Sequence, residues 1–350
     1  MTQNNNNKLN IKGNKKDNSS LDDLARQTAV DDKELIKDLL SGKKVKPKSK
    51  TPKPKIKPVN NIDPISEDDL GSIIYSVNKY NQDNFEVNGQ MVLSATYQFD
   101  LQTKQNILLT TAKNVSNALK WVTGAGLFQA TDDYIKKIFN FKGEYLDSKS
   151  KVISAAVNTI CSMEFLPRAG LLGAYDQGVM KLTNNVFQKE YSLIKRVGCV
   201  AAIKTVNQSD LYYVKEEGFF GQLMSDLGVA GEVIIKNLDM EVHDFEHIPG
   251  FGFLFATTDE NNYSHILRME DKNLFNNPPV KDLIPKFEGK VSKFLAVPGH
   301  GVYYATETDS DVELRKILQY NQNSKEYGLI HQVMFSLDQE IIAMEYVPKL

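Results

Sequence analysis

The chain has few of the features that announce chemistry. Only two cysteines, Cys161 and Cys199, occur in 350 residues, which excludes a disulfide framework. Their apolar settings, AVNTICSMEFL and RVGCVAAI, predict buried reduced thiols and a reducing compartment. No apolar run reaches the roughly 18 residues of a membrane span, and the opening MTQNNNNKLNIKGNKK has no apolar leader segment. A cytoplasmic protein without membrane contact is therefore expected, with a virion-associated one as the alternative. Trp121 is the only tryptophan, and no aromatic residue precedes Tyr75. Nucleophile elbow, P-loop, zincin and dinucleotide signatures are all missing, so no catalytic residue, metal or cofactor is assigned.

What is present begins with a charge asymmetry hidden by the net charge of -2. Residues 1–60 carry 15 Lys and Arg against 7 Asp and Glu, whereas the rest carries 27 against 37. A basic tail joined to an acidic body suggests that the tail touches something anionic. Three pieces make up this tail. An asparagine tract is followed by SLDDLARQTAVDDKELIKDLLSG, where a short helix over 20–41 would present Leu35, Leu39 and Leu40 as docking anchors. The stretch 43–58 then holds eight lysines and four prolines and no acid. Proline disfavours helix there, so an extended spacer with a reach of roughly 50 Å is predicted. Lys43 to Lys57 lack arginine and aromatic company, which leaves only non-specific polyanion contact.

From residue 62 onward helical periodicity gives way to short strands in repeats. IPGFGFLFATTDENNYSHIL and VPGHGVYYATETDSDVELRKIL share Pro-Gly-x-Gly, an apolar run, Ala-Thr and an acidic turn. LPRAGLLGAYDQGVMKL and VTGAGLFQATDDYIKKIF follow the same plan, and VNQSDLYYVKEEGFF and SLDQEIIAMEYV are degenerate copies. The marker positions 126, 170, 210, 252, 301 and 340 are separated by 44, 40, 42, 49 and 39 residues. Strand-filled periods of this length resemble β-propeller repeat proteins over 62–350, although the WD and kelch signatures are absent. The resemblance implies an all-β disc of six blades, or alternatively seven, with a central channel and two loop-built faces.

A closing blade is expected to join IHQVMF and EIIAMEYV to QMVLSATYQF and NILLTTA, leaving GSIIYSV as an extra strand. The domains are thus a tail, 1–60, and a propeller, 61–350.

Within the repeats, His300 is a turn residue rather than a catalytic one. With Arg168 and Gln208, in neighbouring inner turns, it offers a ligand site at one channel mouth. The turn after each second strand carries acid: Asp132 and Asp133, Asp176, Glu216 and Glu217, Asp259 and Glu260, and Glu307 with Asp309 and Asp311. Asp132, Asp133, Glu216, Glu217, Asp259, Glu260 and Glu307 are therefore expected to form a partner-binding acidic face. His243 and His247 would stand roughly 13 Å apart on a strand, too far for one metal unless a bulge intervenes. Together these features point to a non-enzymatic interaction module, tethered by its tail to protein partners of a larger assembly such as a virion or intracellular scaffold. A propeller enzyme or ligand receptor is the alternative.

Overall fold

Each repeat is built around a turn that its own residues dictate. In Ile248-Pro249-Gly250-Phe251, proline fixes the second position and Gly250 takes the positive φ of the third, 78°. The Phe251 N–H then donates to the Ile248 carbonyl at 2.9 Å. Val297-Pro298-Gly299-His300 repeats the arrangement, with His300 N–H donating to Val297 O at 3.1 Å. The second glycine of the motif has a different task. Gly252, at φ 116°, opens the following strand where a Cβ would stand 2.2 Å from the Met269 carbonyl. Only glycine allows the third strand to approach so closely.

The computed structural model describes residues 66–349, apart from 67–68, 80–83, 147–150, 156–158, 168, 197, 207–209, 216–217, 226–227, 239, 262, 271–278, 288, 309–310, 322 and 325. The expected docking helix with Leu35, Leu39 and Leu40, and the spacer 43–58, lie outside the described residues. Among the described residues no helix is long and apolar enough to cross a membrane.

The regular elements among the described residues are almost all strands. First come β1 (Ser72–Asn78), the small hairpin β2 (Phe85–Val87) and β3 (Gln90–Val92), β4 (Ser94–Asp100) and β5 (Asn106–Ala112). Five sequential four-stranded meanders follow. They are β6 (Ser116–Val122), β7 (Gly126–Thr131), β8 (Tyr134–Lys137) and β9 (Lys151–Ala155), then β10 (Ser162–Leu166), β11 (Gly170–Tyr175), β12 (Gly178–Thr183) and β13 (Lys189–Arg196). Next are β14 (Ala202–Val206), β15 (Asp210–Lys215), β16 (Gly218–Ser225) and β17 (Gly228–Asn237), then β18 (Glu241–Ile248), β19 (Gly252–Thr258), β20 (Ser264–Met269) and β21 (Val280–Phe287). The last meander is β22 (Lys290–Val297), β23 (Gly301–Glu307), β24 (Val312–Asn321) and β25 (Glu326–Leu337), and β26 (Glu340–Val347) completes the chain.

β26 pairs with β1 to form the sheet β26-β1-β4-β5, so six four-stranded blades make a closed propeller. Closure ties the two ends of the disc together and removes an exposed edge. The expected composition of this blade needs correction. GSIIYSV is no extra strand: as β1 it is the second strand of the closing blade. IHQVMF belongs to β25, the outer strand of the sixth blade, and Glu340 opens the innermost strand rather than a second one. One strand from the end of the chain therefore joins three from its start.

Second strands lie between two neighbouring blades and are buried on both faces, as in β7, β11 and the first six residues of β23. That is why GLFQAT, GLLGAY and GVYYAT read as near-continuous apolar runs. Six hydrophobic clusters result, one at each blade interface. Ile73, Tyr75 and Val77 face the sixth blade, while Ile74 between them faces the second. Between the fourth and fifth blades, Phe219 packs on Phe253 and Phe255 with ring centroids 4.9 and 5.0 Å apart. Fully burying each such ring stabilises the disc by about 1.5–3 kcal/mol.

Candidate functional site at the channel mouth

The six innermost strands, β26, β6, β10, β14, β18 and β22, line the central channel. At one register position, opposite the third residue of β1 and of each other second strand, they carry Glu345, Lys120, Glu164, Lys204, Glu246 and Leu295. Five of the six are charged, and the sign alternates from blade to blade. Lys120 Nζ stands 2.9 Å from Glu164 Oε1 and 3.6 Å from Glu345 Oε1. Lys204 Nζ stands 2.9 Å from Glu246 Oε2. Backbone donors add to two of these carboxylates: Glu164 accepts the Phe165 N–H, and Glu246 accepts those of His247 and Ala296. Burial alone would lower the Lys204 ammonium, but Glu246, Asp244, Glu164 and Glu345 together hold it well above its ordinary value. Burial pushes Glu345 up to about 7, against the pull of Lys120 and Lys204.

A cavity of about 310 Å³ lies at the end of the channel where the inner strands begin. One repeat position builds its wall. Asn117, His243, Ser292 and Ile342 are each the extra residue of a β-bulge, where the inner strand advances two residues while its partner advances one. At Cys161 and Ala201 the N–H groups donate to Ala174 O and Val214 O, whose residues already pair with Ser162 and Ala202. All six of these residues line the cavity, with Glu241, Lys290, Lys293 and Glu340 beside them. A bulge re-aims side chains locally: Val291 and Phe294 both enter one blade core, which leaves Lys290 and Lys293 on the other face.

The bulge at His243 does not bring His243 and His247 to one site. His247 packs on Phe253 with ring centroids 4.6 Å apart, while His243 faces the cavity, its Nε2 2.7 Å from Thr258 Oγ1 and its Nδ1 3.5 Å from Glu241. Among the described residues no cluster of metal-ligating side chains occurs. Cys161 donates its thiol to the Val200 carbonyl at 3.0 Å, and burial pushes it up to about 11, so it is protonated at neutral pH. Cys199 is exposed, contrary to the burial expected of both cysteines.

His300 stands at the opposite mouth. Its Nε2 accepts from Lys316 Nζ at 2.9 Å and lies 2.8 Å from Tyr303 Oη. Burial, then Lys316 and Lys104, lowers it to about 4, which fixes it as a neutral acceptor inside a blade. Arg168 and Gln208 lie outside the described residues.

The acidic turns lie at the cavity end, because each second strand ends beside the start of an inner strand. Asp132 accepts from Asn117 Nδ2 at 2.7 Å, which ties a turn directly to a bulge residue, and Asp133 accepts from Asn114. Asp132, Asp133, Asp176, Glu260 and Asp311 are exposed, and Glu307 is half-buried. Asp259 takes the backbone N–H groups of Tyr263 and Asn261 and contacts His265 and Lys286, and these hold its carboxyl below the usual range. Glu216, Glu217 and Asp309 lie outside the described residues.

Sequence reasoning missed both rings, although a signal was there. The charged ring falls six residues before each of the five markers from 126 to 301, and the bulge ring nine residues before.

No protein-family model and no curated protein sequence matches the chain. Solved structures do. The chain is similar to TolB from Acinetobacter baumannii, with 11% identity over 78% of this chain and 66% of that one, at a TM-score of 0.54. It also matches the β-propeller domain of Cps50 (Swd1) from Myceliophteria thermophila, with 11% identity over 63% of this chain and 72% of that one, at a TM-score of 0.42. The chain spans just under two thirds of the TolB chain, and at such identities the likeness is one of fold. The protein is a six-bladed β-propeller.

Proposed function

We propose that the chain is a non-enzymatic interaction module, a β-propeller that its basic tail attaches to a larger macromolecular assembly such as a virion or an intracellular scaffold. One observation carries the reading: the five charged residues of the ring midway along the channel are spent on one another. Lys120, Glu164 and Glu345 form one ion-paired group and Lys204 with Glu246 another. Acid–base or nucleophilic catalysis needs groups with free hydrogen-bonding capacity pointed at a substrate. A paired ring stiffens the disc instead, and leaves recognition to its faces and its tail. On this reading the acidic turns serve as a face for a basic partner.

The test is capture from cells of the source organism with residues 1–60 and, separately, with residues 61–350. Recruitment of one defined assembly by the 1–60 bait, and its absence from the 61–350 bait, is expected. Equal capture by 61–350 alone would overturn the tether.

A further inference from the structure

The bulge ring repeats one backbone device six times but fills it with six different side chains: an amide, a thiol, a methyl, an imidazole, a hydroxyl and a branched alkyl group. The charged ring, three residues further along each inner strand, keeps to lysine and glutamate in five of six blades. Uniform geometry with varied chemistry suits a wall that fits an asymmetric object.

The asymmetry is strong. Glu241, Lys290, Lys293 and Glu340 come from three neighbouring strands, β18, β22 and β26, whereas β6 and the residues leading into β10 and β14 offer only Asn117, Thr159, Cys161 and Ala201. Most polar groups on the charged side are already held. His243 is bound by Thr258 and Glu241, Ser292 donates to the Ile341 carbonyl, and both oxygens of Asp244 accept backbone N–H groups, from Phe245 and Phe294. Three charged groups differ. Lys290 is exposed, the side chains of Lys293 and Glu340 are half-buried, and among the described residues none of the three has a hydrogen bond or an ion pair. Lys120 and Lys204, in the same channel, both have carboxylate partners. An ammonium and a carboxyl thus face one small cavity from adjacent strands, each with unspent capacity.

We propose that the channel mouth binds a small zwitterion, a free α-amino acid or a dipeptide, with the ligand carboxylate on Lys293 and its ammonium on Glu340. Charge-assisted hydrogen bonds at both ends would satisfy two half-desolvated groups at once. A cavity at the lower end of the roughly 300–1,000 Å³ of small-molecule pockets limits the ligand to that size. Cys161, Ala201 and Ile342 form the less polar wall that receives its side chain. The inference stands on this cavity and is independent of what the tail recruits.

The experiment is saturation-transfer NMR on the full chain with mixtures of the twenty amino acids and of simple dipeptides, followed by calorimetry on any hit. The hit is compared with its N-acetyl and its methyl-ester forms. Binding of the zwitterion, with at least tenfold loss on acetylation, on esterification, in Lys293→Met and in Glu340→Gln, is the expected result. Ala201→Leu, which keeps every charge and fills the neutral wall, should abolish binding, and it decides the matter should a charge variant fail to fold. No binding by any zwitterion up to 10-millimolar concentration, equal binding of the acetylated form, or full binding by Ala201→Leu would each overturn the proposal.

Discussion

Lys204 Nζ lies 2.9 Å from Glu246 Oε2, although 42 residues separate them in the chain. They are neighbours because each repeat returns the same register position to the channel wall one blade further round. Buried pairs of this kind are worth more in the breaking than in the making, since removing one partner strands the other charge. Lys204→Met is therefore expected to destabilise the disc by about 3–5 kcal/mol. Replacing both, as Lys204→Met with Glu246→Leu, should recover most of that loss. Urea unfolding of the two single variants and the double variant measures the coupling, and additive losses would contradict a direct pair.

Glu345 supplies a pH signature. Its folded-state value is pushed up to about 7 from an ordinary 4.5, so between those limits the folded chain holds a proton that the unfolded chain has lost. Stability from this group is full below pH 4.5 and is lost as pH rises through 7. Each tenfold change in proton affinity is worth about 1.4 kcal/mol, so the loss is on the order of 3 kcal/mol. Glu345→Gln removes it, so the difference in unfolding free energy between native chain and variant should shift in the variant's favour from pH 4.5 to 7.5. A difference that does not vary with pH would contradict the assignment.

Two glycines separate backbone strain from crowding. Gly170 sits at φ 112° with a would-be Cβ 2.1 Å from the Thr183 carbonyl, whereas Gly124, at φ 80°, has open space around it. Gly124→Ala should cost about 1 kcal/mol, the ordinary left-handed penalty. Gly170→Ala must also push a strand aside and should cost about 3 kcal/mol or more. Thermal unfolding of both variants provides the comparison, and equal losses would mean that the third strand yields freely.

Glycines at the turns and strand starts also explain what could be read in advance. Pro-Gly-x-Gly marks a turn and a crowded strand start, both local demands, so the repeat and the six blades were legible. The closing blade was misread because its second strand opens at Gly71-Ser72 without that turn, the innermost strand lying at the other end of the chain. Glu340 copied the marker spacing while opening a different strand. The bulges were hidden for a deeper reason. Asn117 or His243 is an extra residue only relative to the partner strand, and no single strand's sequence records that. His300, the residue most suggestive of chemistry, lies within hydrogen-bond distance of Tyr303 and Lys316.

The most direct test of the account is whether the tail's apolar anchors carry recruitment independently of the disc. Equilibrium binding of the captured assembly would be measured for the native chain, for Leu35→Asp with Leu39→Asp, and for a chain with residues 43–58 shuffled at constant composition. All three should share one melting temperature. The leucine variant is predicted to lose binding at least a hundredfold, since a docking helix depends on a few apolar anchors, while the shuffled chain binds like the native one. Native affinity in the leucine variant, or a fall in melting temperature that accounts for its loss, would contradict the claim that the propeller is a tethered interaction module.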